Sequence, residues 1–191
     1  MDEVGRGSPA GPVTVGLVVL DRGIGRPPAG VRDSKLLTAA ARARLVPDIE
    51  SWASASAVGS ATPDEVDALG VVGALRLAGR RAIERLADPP DVILLDGNHD
   101  WLSADGRVGD GWTGPGVVTR VRADRTCTSV AAASILAKES RDAVMVSLAA
   151  DHPGYGWEAN KGYGTEAHLA AIRDLGTTPH HRLTWRLPQA E

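Results

Sequence analysis

Four carboxylates stand where a folded chain could gather them. Asp2 and Glu3 are adjacent at the chain start, Asp96 closes the apolar run Val92 to Leu95, and Asp124 follows the β-branched run Val117 to Val121. If these segments are neighbouring strands, their acids meet at one edge of a sheet. Clustered carboxylates repel one another and raise one another's pKa unless a cation sits among them. Hard divalent ions such as Mg²⁺ or Mn²⁺ prefer carboxylate oxygens and share their coordination with substrate phosphates. The five histidines are scattered and Cys127 stands alone, so no zinc spacing is present. Metal-assisted chemistry on a phosphate is the predicted activity. Taken singly, each acid reads as a solvated surface or capping residue, and the case rests on their joint placement at strand ends.

Smaller motifs could grip the same substrate. In Gly5-Arg6-Gly7, two glycines let backbone approach a ligand while the arginine fork holds a phosphate; a plain glycine turn is the other reading. Asn160-Lys161-Gly162-Tyr163-Gly164-Thr165 sets a tyrosine between glycines. That suits either a platform for a sugar or base, with Lys161 on phosphate, or a turn with a half-buried ring. Asp33-Ser34-Lys35 precedes a helix as a cap, and His180-His181-Arg182 reads as phosphate contacts or as a solvated tail. Only three of the 21 cationic side chains are lysines, at 35, 138 and 161. An arginine-rich chain is expected to keep lysine where a compact ammonium is needed.

The elements that must position these groups follow from pattern. Val13 to Leu20 is a continuous apolar run, read as a buried strand, and the glycine- and proline-rich stretch before it is a turn. Thr38 caps a helix to about Ser54, with Pro47 predicting a kink or early break. Ala55 to Ala61 is a short strand. Thr62-Pro63-Asp64-Glu65 is a capping box opening a helix to about Leu86. Val92 to Leu95 and Val117 to Val121 are strands separated by a surface loop from His99 to Gly116. Thr128 to Ala150 and Thr165 to Leu175 are helices, the last stopped by Gly176. Strands alternating with helices indicate an α/β layer fold with a mixed sheet, as one domain over residues 1–191.

Composition narrows the class. The chain has 191 residues, 43% hydrophobic and 24% charged, which excludes general disorder; Phe is absent, so Ala, Val, Leu and Ile must form the core. A net charge of −3 excludes a broadly basic protein holding nucleic acid by bulk electrostatics, yet leaves room for a local basic groove. The longest uncharged run is 14 residues, below the roughly 18 that a membrane span needs. A lone cysteine and an acidic start with no signal-like region suit a cytoplasmic setting.

The ordered motifs closely resemble bacterial ribonuclease HII, the type 2 ribonuclease H. They are Asp2-Glu3-Val4-Gly5-Arg6-Gly7-Ser8-Pro9-Ala10-Gly11-Pro12-Val13, Asp33-Ser34-Lys35, Leu95-Asp96-Gly97-Asn98, residues 131–138 with Arg141-Asp142, His152-Pro153-Gly154-Tyr155-Gly156, Lys161-Gly162-Tyr163-Gly164-Thr165 and Thr178-Pro179-His180-His181-Arg182. The resemblance spans essentially the whole chain. It implies a ribonuclease H-like fold, a mixed central sheet flanked by helices. It also implies hydrolysis of RNA in RNA–DNA hybrids, cutting 5′ to ribonucleotides embedded in duplex DNA, and a part in ribonucleotide excision repair. It places Asp2, Glu3, Asp96 and Asp124 as catalytic, metal-holding acids, with two Mg²⁺ or Mn²⁺ ions. Gly5, Arg6 and Gly7 read the ribose 2′-OH, Tyr163 stacks on the following sugar, and Ser34, Lys35, Lys161 and Arg182 complete the substrate contacts of a monomer.

Two departures set further expectations. Ala123 precedes Asp124 where the family carries glycine, which leaves Asp142 as an alternative fourth acid. Met1 directly precedes Asp2, so the first strand is expected to be truncated and Asp2 to lie at a fraying terminus. Rivals are a catalytically dead hybrid-binding module and a nucleotide phosphotransferase; the latter lacks its Gly-x4-Gly-Lys loop.

Overall fold

A computed structural model describes residues 1–103 and 112–188. The middle of the expected surface loop, residues 104–111, lies outside the described residues. Among the described residues the strands are β1 (Asp2–Val4), β2 (Val13–Val19), β3 (Ala55–Ala61), β4 (Val92–Asp96) and β5 (Gly116–Arg120). Their helices are α1 (Ala39–Trp52), α2 (Pro63–Glu84), the short α3 (Ala123–Thr126), α4 (Thr128–Asp151), the short α5 (Trp157–Asn160) and α6 (Glu166–Leu175), with a 3-10 turn at Ser34–Leu36.

β1 and β3 pair antiparallel with β2, while β4 and β5 pair parallel. Two backbone hydrogen bonds of Met1 join the two sheets. The Met1 nitrogen donates to the Leu94 carbonyl at 2.8 Å, and the Asp96 N–H donates to the Met1 carbonyl at 3.2 Å. This parallel link carries the order β3-β2-β1-β4-β5 across both, the mixed α/β arrangement expected.

β2 reads as unbroken apolar sequence because both of its faces are covered. Val13, Val15 and Leu17 pack with Val66, Ala74 and Leu75 of α2, whereas Val18 packs with Ala132 and Ala133 of α4. Glycine allows the layers to close. A Cβ on Gly16 would lie 2.2 Å from the Ala133 carbonyl of α4, and one on Gly59 would lie 2.1 Å from the Ala78 carbonyl of α2. Small residues thus do the work that aromatic bulk does elsewhere.

Three expectations are corrected. The strand carrying Asp2 is not frayed: Met1 and Asp2 are buried, and β1 is paired on both sides. Helix α1 runs through Pro47, because Pro47 and Ala43 lie on its exposed face and the carbonyl left unpaired meets water. Helix α2 is interrupted at Gly70 (φ 70°, ψ 163°), so the single long helix is two helices that meet at a kink. Among the described residues no helix is long and apolar enough to cross a membrane.

Candidate active site

The register of β1 and its link to β4 set Asp2 beside Asp96. Asp96 in turn collects the next acid. Its Oδ1 accepts the N–H of Ala123 at 2.6 Å and, more weakly, that of Asp124 at 3.4 Å, as a carboxylate does at a helix N-terminus. Arg122, in the left-handed region at φ 58°, makes the reversal that brings α3 there. Asp124 therefore stands against Asp96 in a helical turn rather than in a loop after the strand. Asp142 stands elsewhere, tied to Lys138 at 2.6 Å and Arg42 at 3.5 Å between α4 and α1.

Asp33 is a fifth acid at the same place. Its side chain caps the 3-10 turn by accepting the Lys35 N–H, and it faces Arg125 at 3.6 Å. Lys35 reaches Asp124 at 3.7 Å and Arg6 reaches Glu3 at 3.8 Å. Among the described residues, five carboxylates thus meet three cationic side chains, all of them on exposed arms, and the buried Met1 amino group.

The charge imbalance appears in the protonation. Burial, reinforced by Glu3 and Asp96, pushes the Asp2 carboxyl up to about 8. Burial also raises Glu3, against the pull of Arg6. Asp124 is raised by burial and by the Asp96 and Asp33 charges. Burial alone would lower Lys35, but Asp2, Asp33, Asp124 and Asp96 together outweigh it and raise it. The Glu3 Oε2 is buried without a hydrogen-bond partner. An all-oxygen donor set, surplus negative charge and an orphaned carboxylate oxygen fit a hard divalent cation. Among the described residues no three donors stand close enough as placed to enclose an ion. The fit rests on donor chemistry and charge, not on a preformed cage.

Beside the acids, the turn from Gly5 to Pro12 is held from beneath by two buried arginines. Arg141 donates to the carbonyls of Pro12 (2.8 Å), Ala10 (2.9 Å) and Lys161 (2.8 Å). Arg182 donates to those of Gly5 (2.6 Å), Arg6 (3.0 Å) and Gly11 (3.1 Å). Gly5 has φ 81°, and a Cβ there would lie 2.2 Å from the Arg141 Nε. Gly7 is exposed and would meet nothing within 4 Å. Its missing side chain leaves space only toward the outside.

Arg182 corrects an expectation: it is fully buried, committed to three carbonyls and lies over Trp185, so it props the turn rather than meeting phosphate. His180 and His181 are not a solvated tail either. His181 is fully buried in an aromatic cluster with Tyr155, Trp157 and His168. Ser34 is buried, its N–H donating to Ser134 Oγ at 3.1 Å, while Lys35 stays exposed. Tyr163 is half-buried, its ring 5.3 Å from the Lys138 ammonium and 5.1 Å from the Arg141 guanidinium. Lys161 adopts φ 52° and folds its ammonium onto the Glu158 carbonyl. The role of Arg141 had no local signal, because the carbonyls of Ala10 and Pro12 lie 131 and 129 residues away in the chain, and the cap read at Asp33 did not show its place among the acids.

Comparison with known proteins points one way. A family model described as Ribonuclease HII matches residues 1–187. A Ribonuclease HII of Streptomyces coelicolor is 46% identical over 185 residues, covering 97% of this chain and 75% of the relative. The ribonuclease H2 of Pyrococcus horikoshii OT3 superposes with a TM-score of 0.73 at 25% identity, covering 97% of this chain and 92% of that one. Bst-RNase HIII in complex with Mn²⁺ superposes with a TM-score of 0.68 at 25% identity, covering 97% and 65%.

Proposed function

Because the chain belongs to the ribonuclease HII family, and so is a ribonuclease H and a hydrolase, we propose that it cuts duplex DNA 5′ to an embedded ribonucleotide as well as the RNA strand of RNA–DNA hybrids. The observation that carries this reading is the meeting of Asp2, Glu3, Asp96 and Asp124 at one end of the sheet, beside a glycine turn open to the outside.

In this reading Asp2, Glu3, Asp96 and Asp124 hold two divalent ions. When bound, Mg²⁺ or Mn²⁺ supplies an activated water and neutralises charge on the leaving 3′-oxygen. The chain's own residues do the rest. The two glycines let the backbone of the Gly5–Gly7 turn reach the ribose 2′-OH. A site built to bond a hydroxyl rejects the analogue lacking it by about 10⁴–10⁵, because its polar groups are left unpaired. Tyr163 offers a ring for the following sugar. Lys35, Lys161 and Arg6 serve the backbone phosphates, and Ser34, buried against Ser134, holds the turn that carries Lys35. Arg182 acts one layer below, holding the carbonyls of the turn. Residues 1–191 serve as one catalytic domain, working as a monomer in the cytoplasm, which the lone free thiol of Cys127 suits.

The test is a duplex carrying one ribonucleotide, incubated with Mg²⁺ and analysed for end groups. The reading expects a single cut leaving a 3′-hydroxyl and a 5′-phosphate on the ribonucleotide. Binding without cleavage, or equal cutting of an all-DNA duplex, overturns it.

A further inference from the structure

Behind the Tyr163 turn lies a buried imidazole pair that the proposed reaction does not use. His168, on α6, and His181 are both fully buried, with their Nε2 atoms 3.3 Å apart. The surrounding partners fix where each proton sits. His168 Nδ1 lies 2.9 Å from the Tyr163 carbonyl, which can only accept, so Nδ1 carries the hydrogen. His168 Nε2 is then bare, and it accepts the Trp157 indole N–H at 2.9 Å. His181 Nδ1 accepts the Thr178 N–H at 2.9 Å, so its hydrogen is on Nε2, directed at His168. Two donors therefore converge on one imidazole lone pair, and the ring cannot flip without losing three contacts. Burial lowers both imidazoles below the ordinary 6.5, His181 to about 4, so both are neutral at neutral pH.

This ring joins the two turns that face the substrate. On one side it holds the Tyr163 carbonyl. On the other, His181 bridges Ala10 and precedes Arg182, whose guanidinium holds Gly5, Arg6 and Gly11. We propose that His168 is a positioning residue, which sets the Tyr163 ring relative to the Gly5–Gly7 turn by donating Nδ1–H to the Tyr163 carbonyl from a tautomer locked by Trp157 and His181. The inference rests on the reading of Tyr163 as a sugar platform.

Two conservative variants separate positioning from mere packing. In His168→Asn the side-chain amide lies near the Nδ1 position and keeps a donor for the Tyr163 carbonyl. In His168→Gln the amide lies near Nε2 and leaves that carbonyl with the Thr165 N–H, at 2.8 Å, but without its side-chain donor. On a duplex with one embedded ribonucleotide, His168→Gln should lose roughly tenfold in kcat/KM, as a misplaced contact does, while His168→Asn stays within about twofold. Placed on Tyr163→Ala, His168→Gln should add no further loss, since a residue acting through another is non-additive with it. Equal losses in both variants, or an undiminished loss on Tyr163→Ala, overturn the proposal. If Tyr163→Ala itself cleaves like the parent, the platform reading fails instead, and the positioning role falls with it. Should the variants not fold, nitrogen-15 NMR of the parent at neutral pH decides: Nδ1–H on His168 and Nε2–H on His181 are expected, and Nε2–H on His168 overturns the proposal.

Discussion

Alanine replacements at Gly5 and Gly7, made one at a time, should separate a glycine required by the fold from one required by the substrate. At Gly5 the new Cβ would lie 2.2 Å from the Arg141 Nε and 2.6 Å from the Pro12 carbonyl oxygen. The hydrogen bond between those two groups must therefore open. Holding alanine at φ 81° costs roughly 1–2 kcal/mol. Losing a charged hydrogen bond costs about 1.5–3 kcal/mol more. The sum is about 2.5–5 kcal/mol, which at roughly 2–4 °C per kcal/mol for a chain of this size lowers Tm by roughly 5–20 °C. At Gly7 the Cβ meets no atom of the protein. Gly7→Ala should melt with the parent or slightly above it, because alanine stiffens the unfolded chain by about 0.4–1 kcal/mol. Its methyl would instead stand where the ribose comes in, and kcat/KM on a singly ribo-substituted duplex should fall by roughly tenfold or more. Calorimetry and a cleavage time course read the two effects separately. A Gly7→Ala variant that cleaves like the parent refutes the outward role of this turn. A Gly5→Ala variant with unchanged Tm refutes the account of the arginine support.

Asp96→Asn should abolish cleavage yet keep hybrid binding and Tm, because an asparagine Oδ1 still accepts from Ala123 and Asp124; turnover near that of the parent would sink the metal assignment. Asp2 is raised from an ordinary 3.8 to about 8, so between those pH values the folded state holds a proton that the unfolded state has released. Stability without divalent ions should therefore fall as pH rises from about 4 to about 6, above which the buried Met1 amino group, lowered from 8.0 to about 6, opposes the trend. Adding Mg²⁺ should raise Tm more at pH 8 than at pH 5, and equal increments at both would show that the acids do not share an ion. Lys35→Ala should weaken duplex binding regardless of sequence and flatten the logarithmic salt dependence by about one, as loss of one phosphate contact does. An unchanged salt slope would assign Lys35 to Asp124 alone.

Local pattern made the element boundaries legible. Thr38, Thr62 and Thr165 each accept the hydrogen bond expected of an N-cap, and Thr62 with Glu65 forms the full capping box. The placing of Asp96 at a strand end was equally readable, since a four-residue apolar run stops there. What the sequence hid is non-local. Arg141 and Arg182 carry the charge of surface residues and reveal burial only when loop carbonyls 129 to 177 residues away close around them. The stability of β1 hid for the same reason, its second partner being 93 residues off at Leu94. Gly70 hid differently: one glycine in a helical pattern does not say whether it is tolerated or used as a break. Lys35 faces Asp124, Lys138 lies against Tyr163, and Lys161 sits in the neighbouring turn.

Helix α4 touches each of these places in sequence. Ser134 meets the Ser34 turn, Lys138 meets Tyr163, Arg141 meets the carbonyls of Ala10, Pro12 and Lys161, and Met145 lies under Gly11 and Gly162. The helix is thus a ruler whose graduations are its own turns. From Ser134 to Met145 it spans about 16 Å at ~1.5 Å per residue. That is close to five nucleotide steps at ~3.4 Å along one strand. A ruler of this kind fails by phase before it fails by strength. One residue inserted between Lys138 and Arg141 would rotate the later graduations by about 100°. It would leave half of the turns keyed to the sheet and half to nothing, while the same insertion in the loop after His99 would leave every graduation where it was.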